Sequence, residues 1–297
     1  MKLEDINIRD PFILTDNKER KYYMYGSFFD GKNRGFQCFV SENLIDWSEP
    51  KIVFTSSKEF WGSEDFWAPE VHKYNDKYYL FGTFSSKSKK RKTQILVSDN
   101  PLGPFKICSA PIGPENWFTL DGTLYVENNK PYCLFSQEWL TDNDGKLCAI
   151  ELDKDFKNTI GEPKILFKAS ETGWSRCPKR NPNKEDIYIV DAPFVYEFDN
   201  QKIILWSSWA TKEDNGYAVG VAYPLNGVLG GKYIHKQLKL PEIDSGHPMI
   251  FKDLNGRNLI CYHKNNSLQG KERAVIREIY LENGELVVKW NLRFCLA

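Results

Sequence analysis

Three aspartates stand at the entrances of short apolar segments, each directly before a small residue or a proline. They open the segments Asp10-Pro11-Phe12, Asp121-Gly122-Thr123 and Asp191-Ala192-Pro193. Carboxylates gathered in one pocket raise one another's pKa, so that one can stay protonated while another is ionised. A pair of that kind supplies the general acid and the general base that hydrolyse a glycosidic bond. A single Asp in this context is a common turn residue, but three at apparently matching places favour a site.

The segments with these aspartates belong to a set of five similar units. Each unit opens with a short entrance segment, makes a polar turn and continues as an apolar run such as Lys21–Gly26 or Lys77–Gly82. A repeat of about 50 to 70 residues is typical of radial or stacked architectures. The five openings are Asp10–Leu14, Ala68–His72, Asp121–Tyr125, Asp191–Val195 and His247–Phe251.

Each unit also carries a third strand-like segment, for example Gly35–Val40, and a turn into a fourth. The sequence therefore predicts one all-β domain over residues 1–297, a five-bladed β-propeller with four-stranded antiparallel blades. A β-sandwich would not account for five copies of one three-part unit. We expect the last strand, Leu286–Trp290, to pair with amino-terminal residues and close the ring.

Composition limits the kinds of partner. Forty basic residues balance forty acidic ones, so net charge predicts neither nucleic-acid nor anionic-lipid binding. The one strongly basic run, Lys87–Lys92, is interpreted as a solvated hairpin tip. The sequence shows no apolar stretch long enough for a membrane span and no apolar signal region near Met1. Seven cysteines without paired spacing predict reduced thiols and a cytoplasmic protein, whereas the aromatic content does not decide the oligomeric state.

Four of these segments resemble the motifs of family 43 glycoside hydrolases, five-bladed propeller enzymes that include arabinofuranosidases, xylosidases, arabinanases and galactanases. The resemblance spans nearly the whole chain and implies an inverting enzyme that removes arabinofuranosyl or xylosyl units from plant-type oligosaccharides. It implies that Asp10 is the general base and that Asp121 orients the acid and tunes its pKa. The matching segments are Arg9-Asp10-Pro11, Trp67-Ala68-Pro69-Glu70-Val71, Leu120-Asp121-Gly122-Thr123 and Ser245-Gly246-His247.

The third acidic position departs from the family pattern. Most members carry Glu-Gly-Pro where this chain has Asp191-Ala192-Pro193. Aspartate is one methylene shorter, which moves its carboxyl about 1–1.5 Å away from the leaving oxygen for the same backbone. Asp191 is the expected general acid, and Glu138 is the alternative proton donor.

Several further residues are candidates for contact with a sugar. Tryptophan faces stack on sugar rings, which favours Trp67, Trp117 and Trp139 as platforms. Polar contacts are expected from Arg9, Glu70 and Arg277, although Arg277 fits an ion pair between blades equally well.

His247 matches a family histidine at the propeller axis. It could contact substrate or hold a water or an ion in the channel, but a lone histidine is more often a hydrogen-bonded structural residue. A structural calcium or sodium ion is compatible with the motif, and the mechanism requires no cofactor. Two other functions stay open: a non-catalytic propeller that binds glycan or protein, and a related five-bladed glycosidase acting on galactosyl or fructosyl linkages.

Overall fold

The apolar repeats of the sequence form five sheets of four antiparallel strands each in a computed structural model. The structure describes residues 1–57, 59–176, 186–198, 201–210 and 216–290. The first strands of the five sheets contact one another in chain order, and the fifth returns to the first. The prediction of a five-bladed β-propeller with four-stranded blades is confirmed.

Each blade is built from consecutive segments of the chain, with its first strand innermost and its fourth strand at the rim. Blade 1 contains β1 (Phe12–Asp16), β2 (Lys21–Phe29), β3 (Arg34–Ser41) and β4 (Lys51–Thr55). Blade 2 contains β5 (Glu64–Tyr74), β6 (Lys77–Ser86), β7 (Lys89–Ser98) and β8 (Lys106–Ile107). Blade 3 contains β9 (Thr119–Glu127), β10 (Lys130–Gln137), β11 (Lys146–Leu152) and β12 (Thr159–Lys168). Blade 4 contains β13 (Asp191–Phe198), β14 (Gln201–Trp209), β15 (Tyr217–Pro224) and β16 (Tyr233–Leu238), and blade 5 contains β17 (Gly246–Lys252), β18 (Asn258–Lys264), β19 (Arg273–Glu282) and β20 (Glu285–Val288).

Tight turns set the register of several blades. Asn75 and Asp76 both have positive φ between the paired residues Tyr74 and Lys77, as a two-residue hairpin of type I′ requires. Such a turn fixes which residues face each other, so the apolar side chains of β5 and β6 fall on matching faces.

The core lies between the blades and is rich in aromatic side chains. Trp206, Tyr25 and Tyr262 are among the largest fully buried residues. Gly220 is paired with Trp206 within blade 4. An added Cβ there would lie 2.3 Å from Trp174 and 2.6 Å from Trp206, so the packing of these two indole rings requires glycine. Helix is limited to three short 3-10 turns in the described ranges, Leu3–Asp5, Trp139–Thr141 and Ala169–Thr172. None of the helices in those ranges has the length and apolarity needed to cross a bilayer.

The prediction for ring closure was wrong. The segment Leu286–Trp290 does not pair with the amino terminus, because a two-residue turn after β19 returns β20 onto β19 itself. The amino-terminal segment instead reaches the start of β19: Asn7 forms a β-bridge with Arg273, and the N–H of Ile8 donates to the carbonyl of Glu272 over 3.2 Å. Blades 1 and 5 therefore meet as complete sheets rather than sharing one.

Candidate active site

A β-bulge interrupts the innermost strand of blades 2 to 5 at the same place. In blade 3, Leu120 faces Ser136 and Thr123 faces Leu134, so β9 carries one extra residue. The residue after the first of these pairs takes a left-handed backbone, which costs a non-glycine residue about 1–2 kcal/mol. The five residues with this conformation at the blade entrances, with φ between 45° and 57°, are Asp10, Ala68, Asp121, Ala192 and His247.

This register corrects the prediction that all three aspartates occupy matching places. Asp10 and Asp121 are equivalent, and each is followed by Pro or Gly. In blade 4 the equivalent residue is Ala192, so Asp191 lies one position earlier, where blades 1 and 2 have Arg9 and Trp67. We call the left-handed position of each blade the axial position and the residue directly before it the wall position. Asp191 therefore occupies a wall position.

Side chains of the preceding blade hold three of these strained entrances. Each acceptor lies on a second strand, opposite the start of the bulge in its own blade. The bonds run from the Asp121 N–H to Oγ1 of Thr83 (3.0 Å), from the His247 N–H to Oγ of Ser207 (2.8 Å) and from the Asp10 N–H to Nδ1 of His263 (3.3 Å). The axial side chains are thus placed by contacts between blades as well as within them.

Three of the five left-handed residues, Asp10, Asp121 and His247, line one cavity of about 620 Å³. Four of the residues that directly precede a left-handed position line it as well: Arg9, Trp67, Leu120 and Asp191. Eight of the predicted site residues meet there: Arg9, Asp10, Trp67, Asp121, Glu138, Trp139, Asp191 and His247. The lining also includes residues that sequence reasoning missed, namely Arg91, Leu120, Leu140, Ile189, Trp209, Tyr217, Asn266, Ser267, Gln269 and Glu272. Leu120 belongs to the motif Leu120-Asp121-Gly122-Thr123, whereas most of the other additions come from strand ends and loops without a recognisable motif.

Asp10 is held in its ionised form. Burial alone would raise the pKa of its carboxyl, but His247, Arg9 and His263 outweigh burial and keep that pKa well below its ordinary value. Nδ1 of His247 lies 3.1 Å from Oδ1 of Asp10, and Nε of Arg9 lies 3.7 Å from Oδ2. In return, although burial opposes it, the negative charge of Asp10 raises the pKa of His247 to about 9.

His263 contacts the same carboxylate without forming an ion pair. Its Nδ1 accepts the Asp10 N–H, and its Nε2 lies 3.1 Å from the side-chain oxygen of Asn266. This network assigns the proton to Nε2. Burial lowers the pKa of His263 to about 4, so the ring is neutral near pH 7.

Asp121 has the opposite character. Burial raises the pKa of its carboxyl to about 8, and the nearby charges of Asp191 and Asp10 add to that effect, while His247 acts against them. Its Oδ2 lies 3.9 Å from Nδ1 of His247 and accepts the backbone N–H of Ala192 over 3.0 Å. One axial carboxyl is therefore ionised while the other is held largely protonated.

Asp191 stands at the cavity wall beside Asp121. The phenol of Tyr217 donates a hydrogen bond to Oδ2 of Asp191 over 3.1 Å. Because the next residue, Ala192, is bonded to Asp121, the backbone that carries Asp191 is tied to the axial carboxyl. Asp191 is thus positioned from two sides.

Glu138 is bound differently. Both of its carboxyl oxygens lie 2.5 Å from Nη1 of Arg91, and its side chain is largely buried. Burial raises the pKa of Glu138, while Arg91 acts against this effect. Arg91 belongs to the basic run that was interpreted as a solvated hairpin tip. That interpretation is wrong for Arg91 and for the buried Lys92, and it is right for the exposed Lys87, Lys89 and Lys90.

The other three predicted sugar contacts do not line this cavity. Glu70 is buried below it, with Oε2 3.1 Å from Nε2 of His72. Trp117 packs beside the apolar cluster of blades 2 and 3. Arg277 pairs with Glu242, the ion-pair alternative that the sequence had left open. Proximity to a motif along the chain did not place these side chains at the site.

The calcium or sodium ion expected at the propeller axis stays a prediction. Among the described residues, no three His, Cys, Asp or Glu side chains are grouped so that they could hold a metal ion. Nδ1 of His247 is directed at Asp10. The chemistry available here is proton transfer between an ionised carboxylate, a protonated one and a substrate that lies between them.

Comparison with known proteins connects this site to an enzyme family. The profile of Glycosyl hydrolases family 43 matches residues 5–287. The crystal structure of an endo-arabinase from Bacteroides thetaiotaomicron is 39% identical, covers 96% of this chain and 98% of that one, and superimposes with a TM-score of 0.87. A thermostable family-43 glycoside hydrolase is 25% identical, with a TM-score of 0.78 and coverage of 95% and 93%.

Two curated relatives are similar over part of the chain. Alpha-L-arabinofuranosidase 43 of Humicola insolens is 23% identical over 59% of this chain, and extracellular endo-alpha-(1->5)-L-arabinanase 1 of Bacillus subtilis is 22% identical over 44%. The matches span 35% and 44% of the length of these two proteins.

Proposed function

The chain belongs to glycosyl hydrolases family 43, and on that premise we propose that it cleaves α-L-arabinofuranosyl linkages in plant-type oligosaccharides with inversion at the anomeric carbon. Asp10 is the general base, Asp191 the general acid and Asp121 the residue that orients the acid and tunes its pKa.

One observation carries this proposal. Asp10 and Asp121 both lie within 4 Å of a single atom, Nδ1 of His247, while Asp191 borders the same cavity. A scaffold that only binds glycan has no need for clustered, buried carboxylates, because their mutual repulsion and desolvation destabilise the fold.

The charge states of Asp10 and Asp121 fit the proposed roles. The ionised carboxylate of Asp10 accepts a proton from water as that water attacks the anomeric carbon. Asp191 gives its proton to the leaving oxygen, and the carboxylate that forms is stabilised by the Tyr217 phenol. Asp121 tunes the acid because the two carboxyls interact: burial and the charge of Asp191 raise the pKa of Asp121, so both carboxyls do not readily ionise together and a proton is kept beside the leaving oxygen.

The choice of sugar is supported by the relatives. The 39% identical structure is described as an endo-arabinase, and both curated relatives carry arabinose-related names. The structures described as a xylanase and a galactosidase are 21% and 17% identical, so they support the fold alone. Xylosyl linkages are therefore the second candidate.

Hydrolysis of a matched panel tests the proposal. Wild type and Asp10→Asn are assayed on 4-nitrophenyl α-L-arabinofuranoside, 4-nitrophenyl β-D-xyloside, linear arabinan and xylo-oligosaccharides. We expect turnover of the arabinosides by wild type, release of arabinose that first appears as the β-anomer in NMR spectra, and little activity in the variant.

Other outcomes point elsewhere. Turnover of the xylosides alone would show that the substrate is a xyloside, with the proposed mechanism unchanged. Full activity in Asp10→Asn would remove the assigned base, and oligosaccharide binding without turnover of pentosides, galactosides or fructosides would favour a binding protein.

We also propose that catalysis needs no metal, since the carboxyl groups carry both proton transfers, and that the protein is cytoplasmic. Full activity after dialysis against EDTA is expected if no metal is needed. Cell fractionation tests the cytoplasmic location. The five cysteines in the described ranges carry free thiols, which fits a reducing compartment.

A further inference from the structure

Arg91 has an unusual environment for a residue of a lysine-rich hairpin. Its neighbours Lys89 and Lys90 are exposed, whereas the Arg91 side chain is 19% exposed and lines the catalytic cavity. Two carboxylates hold its guanidinium: Glu138 through Nη1 at 2.5 Å, and Asp65 through Nη2 at 3.0 Å and Nε at 3.2 Å. Both oxygens of Glu138 contact the single nitrogen Nη1, and the single oxygen Oδ2 of Asp65 contacts Nη2 and Nε, so the guanidinium is held from two sides.

The fixed guanidinium lies on a tryptophan. The central carbon of Arg91 is 4.2 Å from the centre of the Trp67 ring, within the range of a cation–π contact. Trp67 remains 40% exposed and lines the cavity. It occupies the wall position directly before a left-handed residue, as Asp191 does in blade 4.

The cluster borders the proposed acid, because Glu138 is close enough to Asp191 for their charges to interact. Arg9 lies near both the proposed base and the proposed acid, since Asp10 and Asp191 both act on its charge. Groups around the proton donor surround the leaving oxygen, so they contact the sugar that departs.

The contacts of Glu138 do not suit a proton donor. A general acid needs one carboxyl oxygen free to present its proton to the leaving oxygen. Both oxygens of Glu138 lie 2.5 Å from the same Arg91 nitrogen, so both are engaged in the ion pair.

We propose that Glu138 is a positioning residue which, together with Asp65, holds Arg91 flat against Trp67, and that this stacked pair forms the platform for the leaving-group sugar. The proposal rests on the proposed function of Asp10 and Asp191. The platform suits an uncharged sugar ring whose C–H face packs on the indole, because the charge of Arg91 is already matched by its two carboxylates.

The test compares two substrates with equally poor leaving groups, of which only one has a sugar ring on the leaving side. These are methyl α-L-arabinofuranoside and α-1,5-arabinobiose. The variants are Glu138→Gln, Arg91→Lys and Trp67→Ala, with Lys87→Ala in the exposed hairpin as the control. Arg91→Lys keeps the charge but removes the planar fork that stacks on Trp67.

For Glu138→Gln and Arg91→Lys we expect KM for arabinobiose to rise about tenfold, with kcat at the pH optimum little changed. The pH profile of Glu138→Gln alone should shift toward lower pH, because the negative charge that acts on Asp191 is lost. Hydrolysis of the methyl glycoside should match wild type in both, and Lys87→Ala should match it on both substrates. A fall in kcat of about 100-fold on both substrates in Glu138→Gln would instead identify Glu138 as the proton donor. Unchanged kinetics in both variants would remove the platform.

Failure of the proposed sugar specificity is separable from failure of the platform. If wild type cleaves neither arabinoside but cleaves xylobiose, the same comparison is made with methyl β-D-xyloside and xylobiose. If it cleaves no glycoside, calorimetric titration of wild type and Glu138→Gln with arabinobiose and xylobiose measures whether the platform binds a sugar. Equal affinity of wild type and Glu138→Gln, or binding of neither sugar by wild type, would then overturn the platform.

Discussion

The phenol of Tyr217 and the carboxyl of Asp191 are joined by a hydrogen bond of 3.1 Å, although Tyr217 begins the third strand of blade 4 and Asp191 begins the first. Tyr217 is fully buried except for 4% of its surface, so its phenol has few alternative positions. This contact fixes the aspartate side chain at the position where the family resemblance of the sequence predicts the longer glutamate.

Replacing Tyr217 with Phe should lower kcat on poor leaving groups by about 10- to 150-fold, because a hydrogen bond to a charged group contributes about 1.5–3 kcal/mol. KM should change little, since the bond strengthens as Asp191 becomes a carboxylate. Steady-state kinetics on arabinobiose and on a 4-nitrophenyl arabinoside measure the difference, which should be smaller for the nitrophenyl substrate.

Tyr196→Phe is the matched control for that change. Tyr196 lies on β13 and donates to the side chain of Asn258 at 2.6 Å, away from the cavity. It should affect stability and leave kcat intact. Equal losses of kcat in both variants would show that Tyr217 acts only through the fold.

Asp10→Asn should reduce kcat by about 10²–10⁴-fold, the usual contribution of a general base. Asp16→Asn is its control, because Asp16 lies at the other end of β1 and uses Oδ1 to accept the backbone N–H groups of Lys18 and Glu19. Asparagine preserves that acceptor, so activity should stay at the wild-type level. Comparable activity of the two variants would exclude Asp10 as the base.

The ion pair of Asp10 and His247 should make stability depend on pH in a defined way. The folded pKa of Asp10 is lowered, so its contribution is present above the ordinary value of 3.8 and is lost as pH falls through the folded pKa. The folded pKa of His247 is raised from 6.5 to about 9, so its contribution is complete below pH 6.5 and is lost as pH rises through about 9. The extra stability of wild type over Asp10→Asn should therefore be greatest from about pH 5 to 6.5.

Urea unfolding of both proteins between pH 5 and about 10 measures this difference. Asp16→Asn should follow the wild-type curve throughout. A difference that stays constant, or grows toward alkaline pH, would contradict the assigned charge of His247.

Thr83→Val should destabilise the protein by about 1–3 kcal/mol, because it leaves the buried N–H of Asp121 without its acceptor. It should also lower kcat, since Asp121 loses the contact that fixes its strained backbone. Thermal unfolding and kinetics on arabinobiose report the two effects.

Thr93→Val provides the comparison, because Thr93 is equally buried and its Oγ1 has no hydrogen-bond partner in the part of the chain that the structure describes. This variant should be neutral or slightly more stable. A larger loss in Thr93→Val than in Thr83→Val would refute the role of the interblade bond.

The sequence allowed the blades and the axial carboxylates to be predicted for physical reasons. Apolar runs between explicit turn residues define strands, and a repeating unit defines blades. Asp10 and Asp121 stand before Pro or Gly at the entrances, where a left-handed residue is required. These signals are local, so one chain is enough to read them.

The remainder depended on contacts that are distant along the chain. Asp191 was placed one residue out of register because the repeats were aligned on the aspartates, whereas alignment of Pro193 with Pro11 gives the structural match. Arg91 was hidden in a basic run, and its direction is set by Glu138, 47 residues away. Tyr217 carries no motif, since its role arises only when blade 4 folds.

The contact between blades 1 and 5, called the seam, has a consequence for how catalytic activity is lost on heating. Asp10 belongs to one side of that seam, while both of its histidine neighbours, His247 and His263, belong to the other. A separation of the two blades by a few ångströms would move Asp10 away from the positive charge of His247, while the hydrogen bonds between the strands of each sheet stayed intact. Catalytic activity therefore depends on the contact between blades 1 and 5. On warming, activity should be lost at a lower temperature than the β-sheet signal in circular dichroism.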